Sequence, residues 1–227
     1  MERPSLIVLV RHGESERNLA KKGSIYFIDD EARKAVQGVP DHKVSLTEHG
    51  RWQAEKTGVG LKKEFGLFDY IYHSGYERTI QTVDGILKAY PDSEGTKVRS
   101  NLFIRERDSG HAFDMTTAEA EESFPWLEDY WSTYSSFFAY PPGGESIANV
   151  CERVYLFVNM LFRDRRGQKI LVVTHGGTIR AFRFLLERIS YDEVGRIYSP
   201  KNCSLTIYKY NGSQERLVLE EYDRVYW

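Results

Sequence analysis

Cysteine is scarce. The 227-residue chain has two, Cys151 and Cys203, far apart and without metal-ligand spacing. That excludes a disulfide framework and a thiolate zinc centre, so both read as reduced, structural residues of a cytoplasmic protein. Long apolar runs are missing too. Leu6–Val10 is cut short by Arg11 and His12, too early for a signal peptide, and the stretch from Val154 to Phe162 contains Asn159. Neither approaches the roughly 20 residues of a membrane span, which predicts a soluble protein with no membrane partner. No basic block stands out and the net charge is −2, which argues against a nucleic-acid partner. Lys and Arg vanish altogether between Arg107 and Arg153, where nine aromatic residues gather instead: Phe113, Phe124, Trp126, Tyr130, Trp131, Tyr134, Phe137, Phe138 and Tyr140.

What is present is an ordinary globular balance, 41% apolar and 28% charged, in a chain long enough for one domain with a substantial core. Apolar runs alternate with helical patterns. Residues 5–10 read as a buried strand. A helix follows Thr47, with Ala54, Gly58, Leu61 and Phe65 on one face. Tyr70-Ile71-Tyr72 reads as a short strand, and a second helix is predicted over about Glu77–Tyr90. Ser146 caps a helix with Ile147, Val150, Cys151, Val154, Val158 and Leu161 at helical spacing. Lys169–Val173 is a second fully apolar strand, followed by a helix predicted from about Thr178 to Ile189. Ser204–Tyr210, Asn211-Gly212 and Leu217–Tyr222 read as a hairpin with a tight turn. Strand–helix alternation predicts an α/β three-layer sandwich with a mostly parallel central sheet. The cation-free segment, about 108–145, reads as a helical flap inserted into a single domain spanning 1–227. Within it Thr116 and Glu119 form a capping box, and Pro125 interrupts the helix.

Both strong strands end alike, in "VRHGESERN" (His12-Gly13) and "VVTHGG" (His175-Gly176). Open α/β sheets bind ligands outside the carboxyl ends of their strands, so two histidines arrive at the edge where a site belongs. Neutral imidazole is a nucleophile near neutral pH, Arg11 offers a fork matched to phosphate oxygens, and glycine permits close approach to a helix N-terminus. This set suggests phosphoryl transfer through a phosphohistidine. Metal binding is the rival use of two histidines, but neither has the i, i+4 partner or carboxylate spacing of a zinc helix. In "HSGYERTIQT", Arg78 stands near the start of its helix, where it can turn back to the same edge; by itself it reads as a surface residue rather than a ligand. Glu106, in "IRERDSG", reads locally as a surface salt bridge.

Six stretches in order, "VRHGESERN", "VSLTEHG", "SGYERTIQT", "IRERDSG", "PPGGES" and "VVTHGG", span nearly the whole chain. In these the sequence resembles the histidine phosphatase superfamily, in the branch of cofactor-dependent phosphoglycerate mutases and related phosphatases. The resemblance implies that His12 is the nucleophile. It implies that Arg11, Arg78 and His175 complete a phosphate pocket, with Asn18 and the Gly176 backbone N–H as further contacts. Glu106 matches the general acid, and no metal or other cofactor is needed. Two departures stand out. Thr79 replaces a common alanine, a change expected to be minor, and the chain is longer than usual between Asn18 and Gly38, around "SIYFIDDEARKAV", where an entrance loop is expected.

The resemblance also implies that mutases carry flap arginines, which hold a phosphoglycerate carboxylate. Here the flap has none and bears Asp114, Glu119, Glu121, Glu122, Glu128 and Asp129. That disfavours small polyanions and predicts a metal-independent phosphomonoester hydrolase. A mutase is the alternative, and a non-catalytic phosphate-binding protein is a third reading, although every catalytic position is filled. The flap aromatics pack the flap onto the domain, with two or three expected to line the entrance for a substrate with an apolar or aryl body. The expected partner is a small phosphate monoester; the oligomeric state is left open, a homodimer included.

Overall fold

Ile7 and Leu9 point to one side of their strand and Leu6, Val8 and Val10 to the other, so a strand apolar on both faces needs helices above and below it. The computed structural model describes residues 3–22, 26–91 and 95–227 and builds that arrangement. In chain order its elements are β1 (Leu6–Arg11), α1 (Glu16–Lys21), α2 (Asp30–Lys34), α3 (Glu48–Phe65), β2 (Tyr70–His73) and α4 (Glu77–Leu87). They continue with β3 (Lys97–Ser100), α5 (Thr117–Ser123), α6 (Leu127–Phe138), α7 (Ile147–Asp164), β4 (Lys169–Thr174) and α8 (Gly176–Glu187). The chain ends in α9 (Tyr191–Val194), β5 (Leu205–Asn211) and β6 (Arg216–Arg224).

The sheet order is β3-β2-β4-β1-β5-β6. Strands β3, β2, β4 and β1 run parallel, and β5 pairs antiparallel with both β1 and β6. One face buries Ile7, Leu9, Ile170 and Val172 under α7 and α8. The other buries Leu6, Val8, Val10, Leu171 and Val173 under α3 and α4. The molecule is therefore an α/β three-layer sandwich with a mostly parallel sheet. Arg11 pairs with Thr174 across β1 and β4, which brings the next residues, His12 and His175, to one edge.

Three elements differ from the sequence reading. Helix α4 ends at Leu87, three residues early, and Ala89 and Tyr90 fold as a turn onto the Ile86 and Leu87 carbonyls. Helix α8 begins at Gly176, two residues before the expected start. The hairpin turn spans four residues: Asn211 Oδ1 accepts the backbone N–H groups of Ser213 and Gln214, which opens the expected two-residue turn. Between Asn18 and Gly38, residues 23–25, and with them Ser24 and Ile25 of the expected loop, lie outside the described residues. The remainder contains α2 and the fully buried Phe27. Among the described residues, no helix is long and apolar enough to cross a membrane.

Candidate active site

His12 leaves the end of β1 with its backbone N–H on Thr174 O, and its side chain is buried. Its Nδ1 lies 2.7 Å from Gly13 O. A carbonyl only accepts, so Nδ1 carries the proton and Nε2 keeps its lone pair. Burial, reinforced by the charges of Arg78 and Arg11, pushes the His12 imidazole well below its usual value, which keeps it neutral. Gly13 is required sterically: a Cβ there would lie 2.5 Å from Gly50 O on α3.

His175 is the residue before α8, fully buried, with its ring centroid 5.1 Å from that of His12. Its Nε2 lies 2.8 Å from Ser74 Oγ, which lies 2.9 Å from Thr79 Oγ1, which donates to Tyr76 O at 2.8 Å. Tyr76 O accepts the Thr79 hydroxyl as well as the backbone N–H groups of Thr79 and Ile80, and with the hydroxyl proton placed there the relay runs one way. Thr79 donates to that carbonyl, Ser74 donates to Thr79, and His175 donates from Nε2 to Ser74. Nδ1 is left bare and buried, without a hydrogen-bond partner among the described residues, 4.0 Å from Glu106 Oε2. Burial, followed by the charge of Arg78, holds His175 well below its ordinary value. Thr79 is thus no minor departure; it fixes the tautomer of a site histidine.

Arg11 donates to Pro200 O and, at 3.4 Å, to Ser199 Oγ, while its buried Nε has no hydrogen-bond partner among the described residues. Arg78 comes from the first turn of α4, with its guanidinium on Asp41: 3.0 Å to Oδ1, 3.2 Å to Oδ2 and 2.6 Å to the backbone carbonyl. The surface reading of Arg78 is overturned by its 5% exposure and by its charge acting on both histidines. Glu106 abuts the start of α8 so closely that a Cβ on Gly177 would lie 2.7 Å from its Oε1. It is held from beneath, not by a surface salt bridge. Arg153 of α7 donates to the backbone carbonyls of Phe103, Arg105 and Glu106, and Glu145 neutralises Arg153. The structure thus brings Arg11, His12, Arg78, Glu106 and His175 together, and Gly176 adds an N–H from the unpaired first turn of α8. Asn18 lies beside them: its Oδ1 accepts from Ser15 as part of the α1 cap and from Asn202, which also donates to His12 O.

Beside Glu106 opens a cavity of about 670 Å³ beneath α5 and α6. Phe124 and Trp131 of the flap line it, as two of the expected entrance aromatics. Phe137 packs into the core, but Trp126, Tyr134, Phe138 and Tyr140 stand about half exposed, so packing accounts for fewer rings than expected. The charge expectation also needs correction. The flap itself lacks cations, yet Lys21 of α1, Arg107 and Arg180 of α8 enter the same cavity from outside it. Sequence reasoning singled out neither Arg180, Arg153, Asp41 nor Asn202. Arg153 had a signal, a cation within the apolar face of α7; Arg180, five residues after His175, had none without the fold. Among the described residues, no group of three or more His, Cys, Asp and Glu side chains is placed to hold a metal ion.

The family model of the histidine phosphatase superfamily (branch 1) matches residues 7–222. The chain belongs to this superfamily. Among its relatives, the 2,3-bisphosphoglycerate-dependent phosphoglycerate mutase of Rhizobium etli is 32% identical over 90% of each chain. The phosphoglycerate mutase-like protein AT74H of Arabidopsis thaliana is 29% identical over 93% of this chain and 76% of its own. Among solved structures, the phosphoserine phosphatase of Entamoeba histolytica superposes with a TM-score of 0.73 at 22% identity, covering 97% of each chain; at that identity the likeness is one of fold. As a histidine phosphatase superfamily member, the chain has relatives named for mutase chemistry and structural neighbours named for hydrolysis.

Proposed function

We propose that the protein hydrolyses phosphate monoesters through a phosphohistidine on His12, without a metal. One observation supports this reading: His12 Nε2 keeps its lone pair in a site with two buried nitrogens that have no partner among the described residues, Arg11 Nε and His175 Nδ1. A buried polar atom without a partner is costly; a phosphoryl oxygen would accept directly from Arg11 Nε and, once His175 has taken up a proton at Nδ1, from that nitrogen as well.

In this mechanism the dianion enters between Arg11, Arg78 and the first turn of α8. His175 takes up a proton at Nδ1 as the dianion offsets its burial and the Arg78 charge, and becomes a donor to a phosphoryl oxygen. His12 Nε2 attacks phosphorus as the P–O ester bond breaks, and Glu106 gives the leaving oxygen its proton. Water then attacks the phosphohistidine, Glu106 takes the water's proton, the P–N bond breaks and inorganic phosphate departs. The guanidinium and imidazolium charges stabilise the transferring group from fixed positions.

The mutase reading retains support from the named relatives and from the cations that Lys21, Arg107 and Arg180 bring to the cavity. Phosphate release from p-nitrophenyl phosphate in the presence of chelator, beside wells of 3-phosphoglycerate assayed for both phosphate and 2-phosphoglycerate, separates the two. Hydrolysis is expected from the wild type and background from folded His12→Ala. Activity in His12→Ala would sink the mechanism, and 2-phosphoglycerate without phosphate would make the protein a mutase.

A further inference from the structure

The cavity beside Glu106 holds charge that this hydrolytic chemistry leaves unused. Arg180 stands four residues after Gly176 and three after Gly177, on the face α8 turns to the site. Among the described residues its buried Nε has no hydrogen-bond partner and its guanidinium makes no ion pair with a carboxylate. Arg107 enters the same cavity. It donates from Nε to the backbone carbonyl of Glu145 at 2.7 Å and lies 5.2 Å from the Trp131 ring centroid, also without an ion pair among the described residues. Burial pushes Arg107 down; the charge of Glu106 offsets part of this, and the charge of Arg180 adds to it.

Neighbouring arginines are treated differently. Asp114 neutralises Arg17, Asp41 neutralises Arg78, and Glu145 neutralises Arg105 and Arg153. Two partly buried guanidiniums that repel each other and, among the described residues, make no direct ion pair are a cost to the fold that an arriving anion would relieve, although Glu106 stands in the same cavity. The same cavity has an apolar lining of Phe124, Leu127 and Trp131.

We propose that Arg107 and Arg180 form a subsite for a second oxyanion on the substrate, separated from the scissile phosphoryl group by an apolar body lying against Phe124, Leu127 and Trp131. This rests on the hydrolase reading and narrows its substrate class. The flap contributes Glu121 and Glu128 to the same cavity, which limits how much negative charge it accepts. A singly charged carboxylate suits that balance better than a second phosphoryl dianion.

The test is calorimetric binding of four non-hydrolysable probes: phenylphosphonate, its 4-carbamoyl and 4-carboxy derivatives, and 1,4-phenylenebisphosphonate. Each is titrated into the wild type, Arg180→Gln and Arg107→Gln. The wild type is expected to bind the carboxylate at least about tenfold more tightly than the isosteric carboxamide, and each substitution to pull that ratio towards one. Because the ratio is taken within each protein, a general loss of folded material cancels. A larger gain for the bisphosphonate than for the carboxylate supports the subsite with phosphoryl as its ligand. A wild-type ratio near one, or a ratio that survives both substitutions, overturns the subsite. The matching phosphate esters are assayed for phosphate release in parallel. Release without a binding ratio removes the subsite alone; a binding ratio without release removes the hydrolase reading and leaves the subsite standing.

Discussion

Thr79 is one hydroxyl, yet it decides where the proton of a buried histidine sits. The relay from His175 Nε2 through Ser74 and Thr79 to Tyr76 O leaves Nδ1 bare until a proton is taken up. In the proposed mechanism that proton must be present for His175 to donate, so activity in the wild type fades as pH rises. Thr79→Ala frees the Ser74 hydroxyl to donate to Nε2, which allows a neutral imidazole with its proton on Nδ1. The alkaline limb of kcat/KM in Thr79→Ala is expected to move up by about half a pH unit or more, while Thr79→Ser keeps the wild-type profile. Coincident limbs in all three proteins would show that the relay does not govern His175. Glu106 has a separate signature at this scale. Glu106→Gln should spare p-nitrophenyl phosphate, whose leaving group needs little protonation, and lower turnover of an alkyl phosphate by at least about a hundredfold. Equal losses on both esters would remove Glu106 from the acid role.

At the scale of elements, the extra residues before Gly38 act as a brace. Phe27 pairs through its backbone with Met115 and Thr117 at the start of α5, and Arg33 of α2 reaches Asp114 O and Glu119. Arg17 of α1 stacks 3.3 Å from the Phe113 ring centroid and donates to Phe113 O and Asp114. Removing a buried guanidinium with two such bonds, one to a half-exposed carboxylate, costs about 2 kcal/mol of local stability. Arg17→Ala should therefore raise amide exchange in Thr117–Ser123 about thirtyfold and leave β1 and β4 unchanged. Unaltered exchange in α5 would show that the brace carries no energy.

Legibility at this scale followed the physics. Strands apolar on both faces and helices with a caps-plus-stripe pattern could be read directly, and so could the motif residues at their ends. Strand β3, Lys-Val-Arg-Ser on the sheet edge, has no buried face to pattern it. The start of α8 was missed because His175 provides no side-chain cap and Gly176-Gly177 are poor helix formers; the same bare N-terminus leaves N–H groups for an anion. Arg180 looked like any polar helix position, since only the packed fold decides which face of α8 meets the cavity.

For the whole molecule, the two site histidines link stability to pH and to ligand. Burial depresses both imidazoles, first by desolvation and then through Arg78. Above about pH 6.5 they are neutral whether the chain is folded or not, and they contribute nothing to the slope. Below it the unfolded chain binds protons that the native state refuses, so stability falls on acidification and continues to fall until the depressed native values are reached. Each refused proton is worth about 1.4 kcal/mol per pH unit, or about 2.7 kcal/mol per unit for the pair well below pH 6.5. His73, also depressed by burial, adds to the same slope, whereas carboxylates such as Glu145, held low mainly by Arg153 against its burial, act at lower pH. Urea midpoints between pH 7.5 and 5.5 should therefore fall steeply in the wild type and less steeply in His12→Asn and His175→Asn. Inorganic phosphate should flatten the wild-type slope, because a bound oxyanion offsets the burial and the Arg78 charge that keep His175 neutral and lets it take up a proton in the folded state. If the wild type and both variants lose stability in parallel, or if phosphate leaves the slope unchanged, the histidines do not face the anion and the phosphohistidine mechanism loses its electrostatic basis.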